Sequence, residues 1–280
     1  MSPARLITLT TLAMLAFAGN SLLCRVALKD TGIDAASFTS IRLVSGALVL
    51  WLIVQLHRRE AVGQGSWRSA LALFAYAAGF SFAYRELSAA TGALILFGSV
   101  QATMIGHGLW KGERLHGLQL PGLLLAFGGL LGLFLPGLTA PPLLGSLLML
   151  GAGIAWGVYS LRGRGAGDPT RVTAGNFLRA APIALGLSLL LFSQAEWDWR
   201  GVGYAVASGA LASGLGYAIW YSALPAMQAT HAATVQLSVP VIAALGGIVF
   251  LGEHLSIRLV LASAAILGGI ALVIRTKPQA

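Results

Sequence analysis

Residues 112–131 read GERLHGLQLPGLLLAFGGLL, and residues 252–271 read GEHLSIRLVLASAAILGGIA. Gly112-Glu113 and Gly128-Gly129 return as Gly252-Glu253 and Gly268-Gly269, both at an offset of 140 in a chain of 280 residues. Self-similarity at a fixed offset marks a repeated architecture. Working outward, Phe17 corresponds to Trp156, Ser21 to Ser160 and Arg25 to Arg164 at an offset of 139, while Arg42 corresponds to Arg179 and Tyr84 to Tyr221 at 137. Small insertions account for the drift. The halves divide as 1–138 and 139–280.

Each half is too apolar for water. Hydrophobic residues make up 57% of the chain and charged ones only 10%, where soluble domains carry about 25%. Apolar stretches run roughly over 6–28, 36–56, 69–85, 88–110, 117–135, 143–161, 172–193, 201–222, 229–251 and 257–274. A helix needs about 20 such residues to cross the hydrocarbon core, so ten spans are expected. The third and tenth are the shortest, and Arg68 with Arg85, and Arg258 with Arg275, can snorkel at their ends. The uncharged run from Gly117 to Leu161 holds two spans punctuated by Pro136, Gly137, Pro141 and Pro142, and Pro225 marks the turn in the run from Gly201 to Gly252. Arg5, the apolar run from Leu6 and Ala16-Phe17-Ala18 resemble a cleavable signal peptide, but the apolar run continues to Leu28 and the repeat requires this helix.

Five spans per half is an odd number. The second copy therefore enters the membrane from the opposite side, and the repeats are related by an axis in the membrane plane. The expected fold is an all-α membrane protein of ten transmembrane helices in two inverted five-helix repeats around a central cavity. Eleven Lys and Arg (Arg5, Arg58, Arg59, Arg68, Lys111, Arg114, Arg162, Arg164, Arg171, Arg275, Lys277) fall on the side of the N-terminus, against Arg25, Lys29, Arg85, Arg200 and Arg258 on the other. Positively charged loops stay cytoplasmic, so both termini are expected inside the cell membrane. The same scatter explains the net charge of +9 without a nucleic-acid partner, since no basic stripe forms.

The paired Gly-Glu blocks, the Arg in the second and seventh spans, and Ala16-Phe17-Ala18 with its partner Ala155-Trp156-Gly157 resemble the drug/metabolite transporter superfamily, in particular its ten-helix metabolite-exporter (EamA-like) branch. General sequence character is most similar to bacterial aromatic amino acid exporters. The resemblance covers nearly the whole chain and implies a basket of two inverted repeats with a cavity lined by helices one, three, four, six, eight and nine. One departure is visible, because Pro240 in the ninth span falls opposite Val100 in the fourth.

On this reading the cavity-lining candidates are Phe17, Asn20, Tyr76, Phe80, Ser99, Gln101, Trp156, Tyr159, Tyr217 and Gln236. Rings could stack on a flat substrate, and amides and hydroxyls could bond the polar end of an amino acid. Interface anchoring and helix packing compete for the aromatics, and a neighbouring helix carbonyl competes for the amides. Arg42 and Arg179 lie about two turns into their spans, where a central charge costs about 2.5 to 3.5 kcal/mol to insert. Snorkelling to the interface is the expected fate of both, with carboxylate capture or gating as the alternative. Glu113 and Glu253 are expected to complement the N-terminal dipoles of the fifth and tenth helices, gating again being the alternative.

Substrate export by alternating access is the function expected, with a small-molecule substrate and the lipid bilayer as partners, no cofactor, and a monomer as the working unit. No G-x-x-x-x-G-K-[ST] loop occurs, and all nine acidic residues fall in loops or at span ends, so neither ATP hydrolysis nor strong ion coupling is expected. His107 and His231 are expected to be packed and hydrogen-bonded. Export of other metabolites, or of drugs by proton antiport, is the alternative. The sole cysteine, Cys24, excludes a disulfide framework, and Ser, His and Asp show no nucleophile spacing, so an enzyme is not expected. Gly128 with Gly132 and Gly153 with Gly157 are small-residue pairs expected to serve packing within the chain.

Overall fold

The structure, a computed structural model, describes residues 1–56, 64–112, 117–135, 140–163, 166–227, 232 and 235–275. All regular structure among them is helical: α1 (Pro3–Asp30), α2 (Ala35–Leu56), α3 (Trp67–Tyr84), α4 (Ala89–Trp110), α5 (Gln119–Phe134), α6 (Leu143–Gly163), α7 (Pro169–Leu190), α8 (Trp199–Ala226), α9 (Ser238–Leu251) and α10 (Ile257–Arg275). Seven of these, α1, α2, α4, α6, α7, α8 and α10, are long and apolar enough to cross a membrane by length and composition. The 28 residues of α1 extend about 42 Å, enough to span with tilt. Among the described residues the shortest elements are α5 and α9, not the third and tenth. In α5 the cause is local, since Gly117 turns the chain at φ 53° and Leu135 precedes Pro136, a place where helical backbone clashes with the proline ring.

Polar side chains open the helices in loops. Ser2, Ser66, Ser88, Asp168 and Asp198 each accept an amide of the first turn, satisfying donors that no helical carbonyl can reach. Asp198 also takes Gly32 N at 3.2 Å, and this bond, with those from Arg200 N and Gly201 N, holds its carboxyl below the usual aspartate range.

Helix contacts obey the repeat. Exchanging each helix for the one five places on turns α1 against α8 into α6 against α3, α1 against α9 into α6 against α4, and α2 against α8 into α7 against α3, and all six pairs are in contact. Three pairs map onto themselves, namely α2 with α7, α4 with α9, and α5 with α10. Each is antiparallel. Ser40, early in α2, donates to Ala184 O late in α7, Ala89 at the start of α4 meets Glu253 just beyond α9, and Gln119 at the start of α5 bonds Val273 O near the end of α10. A two-fold axis that pairs antiparallel helices runs across them, in the membrane plane.

Every residue from Ala89 to Gln101 is buried, which places the first half of α4 at the centre. Leu120, Leu124, Phe127, Leu131, Val249, Phe250 and Leu261 are exposed, as lipid-facing side chains must be. Small residues set the close crossings. A Cβ on Gly122 would lie 2.6 Å from Gly269 O, and one on Gly153 or Gly157 would lie 2.5 Å or 2.7 Å from the Cβ of Ser99 or Thr103. Gly153 and Gly157 thus pack α6 on α4 as expected. Gly128 and Gly132 do not pack, since no described atom of another helix lies within 4 Å of a Cβ at either. The neighbouring Gly129 makes the crossing instead, its Cβ position 2.7 Å from Ala265 Cβ.

Candidate functional site

A cavity of about 470 Å³ lies between the halves. Its wall takes Phe17 from α1, Phe97, Gln101 and Met104 from α4, Trp156, Tyr159 and Ser160 from α6, Val172 and Asn176 from α7, Tyr217, Trp220 and Tyr221 from α8, and Gln236 before α9. The lining extends to Gly163, Gly167 and Pro169, so the space reaches the α6–α7 connection on the face where α1 begins, called here the terminal face. A volume in this range suits one small ligand.

The inner end is a cage of rings. Phe17 stands 6.2 Å from Trp156, 5.6 Å from Tyr217 and 6.1 Å from Trp220, centroid to centroid, and Trp156 stands 6.0 Å from Tyr217. The repeat brings Phe17 and Trp156 together edge to face, each at the same place in its own half. Polar groups sit lower on the wall. Asn176 donates to Tyr159 Oη at 3.4 Å and accepts Ser66 N at 2.8 Å, while Tyr159 Oη donates to Thr173 at 3.5 Å. At Gln236 the helix is interrupted, because Pro240 has no N–H to offer its carbonyl.

Behind the ring cage lies a buried polar cluster. Arg42 is only 1% exposed, and its Nη2 donates to Tyr76 Oη at 2.9 Å while its Nε lies 3.5 Å from Ser213 Oγ. Its guanidinium carbon is 5.2 Å from the Tyr76 ring centroid and 4.8 Å from that of Phe80, contacts worth about 2 kcal/mol each when desolvated. Asn20 donates to the same Tyr76 Oη at 3.3 Å and accepts the Ser208 hydroxyl at 2.6 Å. Ser208 and Ser213 share a π-helical segment of α8, Ser208–Leu215, whose wider turn carries both serines toward α1 and α2. Snorkelling therefore fails for Arg42, because its face of α2 packs against α3 and α8 rather than lipid. Arg179 does reach the terminal face, where its Nη1 bonds Gln64 O and Gly175 O.

At the opposite face the helix ends are tied together. Arg25 Nε pairs with Glu253 Oε1 at 3.1 Å, and Arg25 Nη1 donates to Tyr84 O at 2.9 Å and Arg85 O at 3.2 Å. Glu253 Oε2 accepts Ala89 N at 2.8 Å. The expected capping of the tenth helix by Glu253 is thus corrected. Its carboxylate caps α4 and ties α1, α3 and α4 to the α9–α10 turn, which Gly252 closes in the left-handed region at φ 61°. With side chains 12% and 8% exposed, removing one charge leaves the other stranded, at a cost of about 3 kcal/mol. Glu253→Gln is expected to lower the unfolding temperature of the purified protein well beyond Glu86→Gln, whose carboxylate accepts Gly145 N and, among the described residues, forms no ion pair. Equal shifts would show that the ion pair contributes nothing.

Six of the ten residues expected in the cavity are on its wall: Phe17, Gln101, Trp156, Tyr159, Tyr217 and Gln236. Asn20, Tyr76, Phe80 and Ser99 are not. The first three lie in or against the Arg42 cluster, and the Ser99 hydroxyl is spent on Ile95 O at 2.7 Å. Glu113, Arg164 and His231 lie outside the described residues. Sequence reasoning missed Trp220, Asn176, Ser208, Ser213 and the partner of Glu253. The run Ser208-Gly209-Ala210-Leu211-Ala212-Ser213-Gly214 is the one readable hint, being too rich in small residues for a lipid-facing helix.

A profile of the EamA-like transporter family matches residues 5–135 and again 143–275. "Uncharacterized protein PA1977" of Pseudomonas aeruginosa is 61% identical over 278 residues, 99% of this chain and 97% of that protein. The threonine/homoserine exporter RhtA of Salmonella typhimurium is 34% identical over 143 residues, about half of each chain at 49% and 48%. "Uncharacterized transporter YoaV" of Bacillus subtilis is 25% identical, covering 83% of this chain and 85% of its own length. A protein of known crystal structure shares the fold with a TM-score of 0.67 at 20% identity, covering 97% of this chain and 98% of that one.

Proposed function

Because the chain belongs to the EamA-like transporter family, we propose that it exports amino acids, aromatic ones above all, by alternating access through the cavity between its two halves. The observation that carries this is the cage of Phe17, Trp156, Tyr217 and Trp220 at the inner end of a cavity whose wall also holds the amides of Gln101, Asn176 and Gln236. Rings receive a flat or apolar side chain, and amides serve its polar end. The name of the RhtA relative supports amino acids as the class.

Access alternates by rocking of one helix bundle against the other, and the terminal face is cytoplasmic, the side that the Lys and Arg bias favours. The protein then rests open to the cytoplasm, with Arg25 and Glu253 closing the outer face. No Asp or Glu lines the cavity among the described residues. That absence of a buried carboxylate favours movement down the substrate gradient over proton-driven efflux of cationic drugs. Proteoliposomes offered L-phenylalanine, L-tryptophan, L-threonine, L-homoserine and a cationic dye test this reading. Amino acids are expected to enter at a rate that an imposed pH gradient leaves unchanged. Transport of the dye alone, or a severalfold acceleration by the gradient, contradicts it.

A further inference from the structure

We propose that Arg42, with Tyr76 and Asn20 beside it, is an anion subsite that takes the carboxylate of the transported molecule, so that the substrate class is amino and related organic acids and not the corresponding amines. This rests on the transporter reading above. Three observations carry it.

The first is a donor with nothing to bond. Arg42 Nη1 is buried without a hydrogen-bond partner, while Nε and Nη2 reach Ser213 and Tyr76. A guanidinium kept only for structure would have its fork satisfied, since each buried unpaired donor is costly. The second is charge. Arg42 forms no ion pair among the described residues, and the acids near the helix ends are committed elsewhere, Asp34 to Ala36 N and Ser37 N, Glu86 to Gly145 N, Asp168 to Arg171 N, Glu253 to Arg25. An intramembrane cation without a counter-ion marks a place where the anion arrives from outside the fold. The third is position. The Tyr76 ring lies 4.3 Å from the Trp156 ring, and Trp156 is cavity wall. Trp156 therefore touches the cavity on one side and the Tyr76 ring that covers Arg42 on the other.

The repeat makes this pole single. Arg179, the counterpart of Arg42, has its guanidinium engaged by the carbonyls of Gln64 and Gly175. A cation with no counter-ion among the described residues, at one end of an aromatic cage, orients an amino acid with its carboxylate toward α2 and its side chain among the rings. Guanidinium is suited to the task because its planar fork matches a carboxylate in a bidentate manner. The carboxylate reaches Arg42 when Trp156 turns aside in the switch between the two access states.

The test compares acids with analogues lacking the carboxylate. Full-length protein in liposomes is offered L-phenylalanine against 2-phenylethylamine and L-threonine against L-threoninamide. Wild type is expected to move each acid at least tenfold faster than its analogue. Arg42→Gln should bring that ratio to about one, and Arg42→Lys should keep part of it. If the Gln variant does not fold, Arg42→Lys and Tyr76→Phe carry the comparison, and either must lower the ratio severalfold. Wild-type transport of amines as fast as acids overturns the subsite and leaves the transporter reading standing. So does an equal loss of both substrates in the variants with the ratio preserved, which is the mark of a structural role. Movement of no compound in the panel overturns the amino-acid exporter reading, and the subsite with it.

Discussion

Gly209→Ala is expected to prevent most of the protein from reaching a stable fold. The added Cβ would stand 2.0 Å from Ser45 Oγ and 2.1 Å from Arg42 O. The serine can rotate, but the carbonyl belongs to the backbone of α2 and already accepts the Ser45 hydroxyl at 3.2 Å. Relief therefore requires α2 and the π segment of α8 to separate by about an ångström, in an interior that transmits such strain rather than absorbing it. Overpacking of this kind costs about 1 to 3 kcal/mol and more where backbone is the obstacle. Gly186 and Gly203 provide the control, since nothing lies within 4 Å of a Cβ at either, and alanine there is a better helix former. Size-exclusion profiles and thermal unfolding in detergent should show Gly209→Ala aggregated or markedly less stable, and Gly186→Ala and Gly203→Ala at or above wild type. A well-behaved Gly209→Ala protein would mean that the α2–α8 contact is looser than described.

Trp156→Ala is expected to cut transport at least tenfold while leaving the protein folded in the membrane. Trp156 touches Phe17, Tyr76, Phe97 and Tyr217, so it joins both halves of the cage to the Arg42 cluster. It is also half-buried with one side on the cavity, so its removal enlarges existing space more than it opens a sealed void. The effect then falls on substrate contact rather than on stability. Trp156→Phe keeps a ring and should retain a substantial part of the rate. Initial rates in proteoliposomes, normalised to reconstituted protein, separate these outcomes. Unchanged kinetics in Trp156→Ala would take the residue off the substrate path.

The repeat and the helix starts were legible because they depend on what the chain spells locally, a doubled Gly-Glu block in one case and serine or aspartate before an apolar run in the other. Azimuth was not legible. A helix apolar on every side has no polar stripe to say which face looks inward. Gly128 and Gly129 are neighbours in sequence, about 100° apart around the helix, and only the second meets another helix. Arg42 could be assigned a depth, but its direction depends on the π segment of α8, a feature of tertiary contact. Tyr76 and Phe80 were correctly placed on one face and incorrectly aimed, since that face looks at Arg42 and not into the cavity. Glu253 read as a cap because its position relative to α10 is local, while its partner Arg25 is 228 residues away. The same repeat maps Arg25 onto Arg164 and Glu253 onto Glu113 in the sequence.

A cavity open to one face at a time is the centre of this account, and thiol labelling tests it most directly. Cys24 is the only cysteine, and Cys24→Ala leaves a background in which Gln236→Cys places one thiol on the cavity wall. A membrane-impermeant maleimide applied to inside-out and right-side-out vesicles should label that thiol rapidly from the face that carries the N-terminus and slowly from the other. Rapid labelling from both faces would make the cavity a channel, and rapid labelling from the opposite face alone would contradict the closure by Arg25 and Glu253.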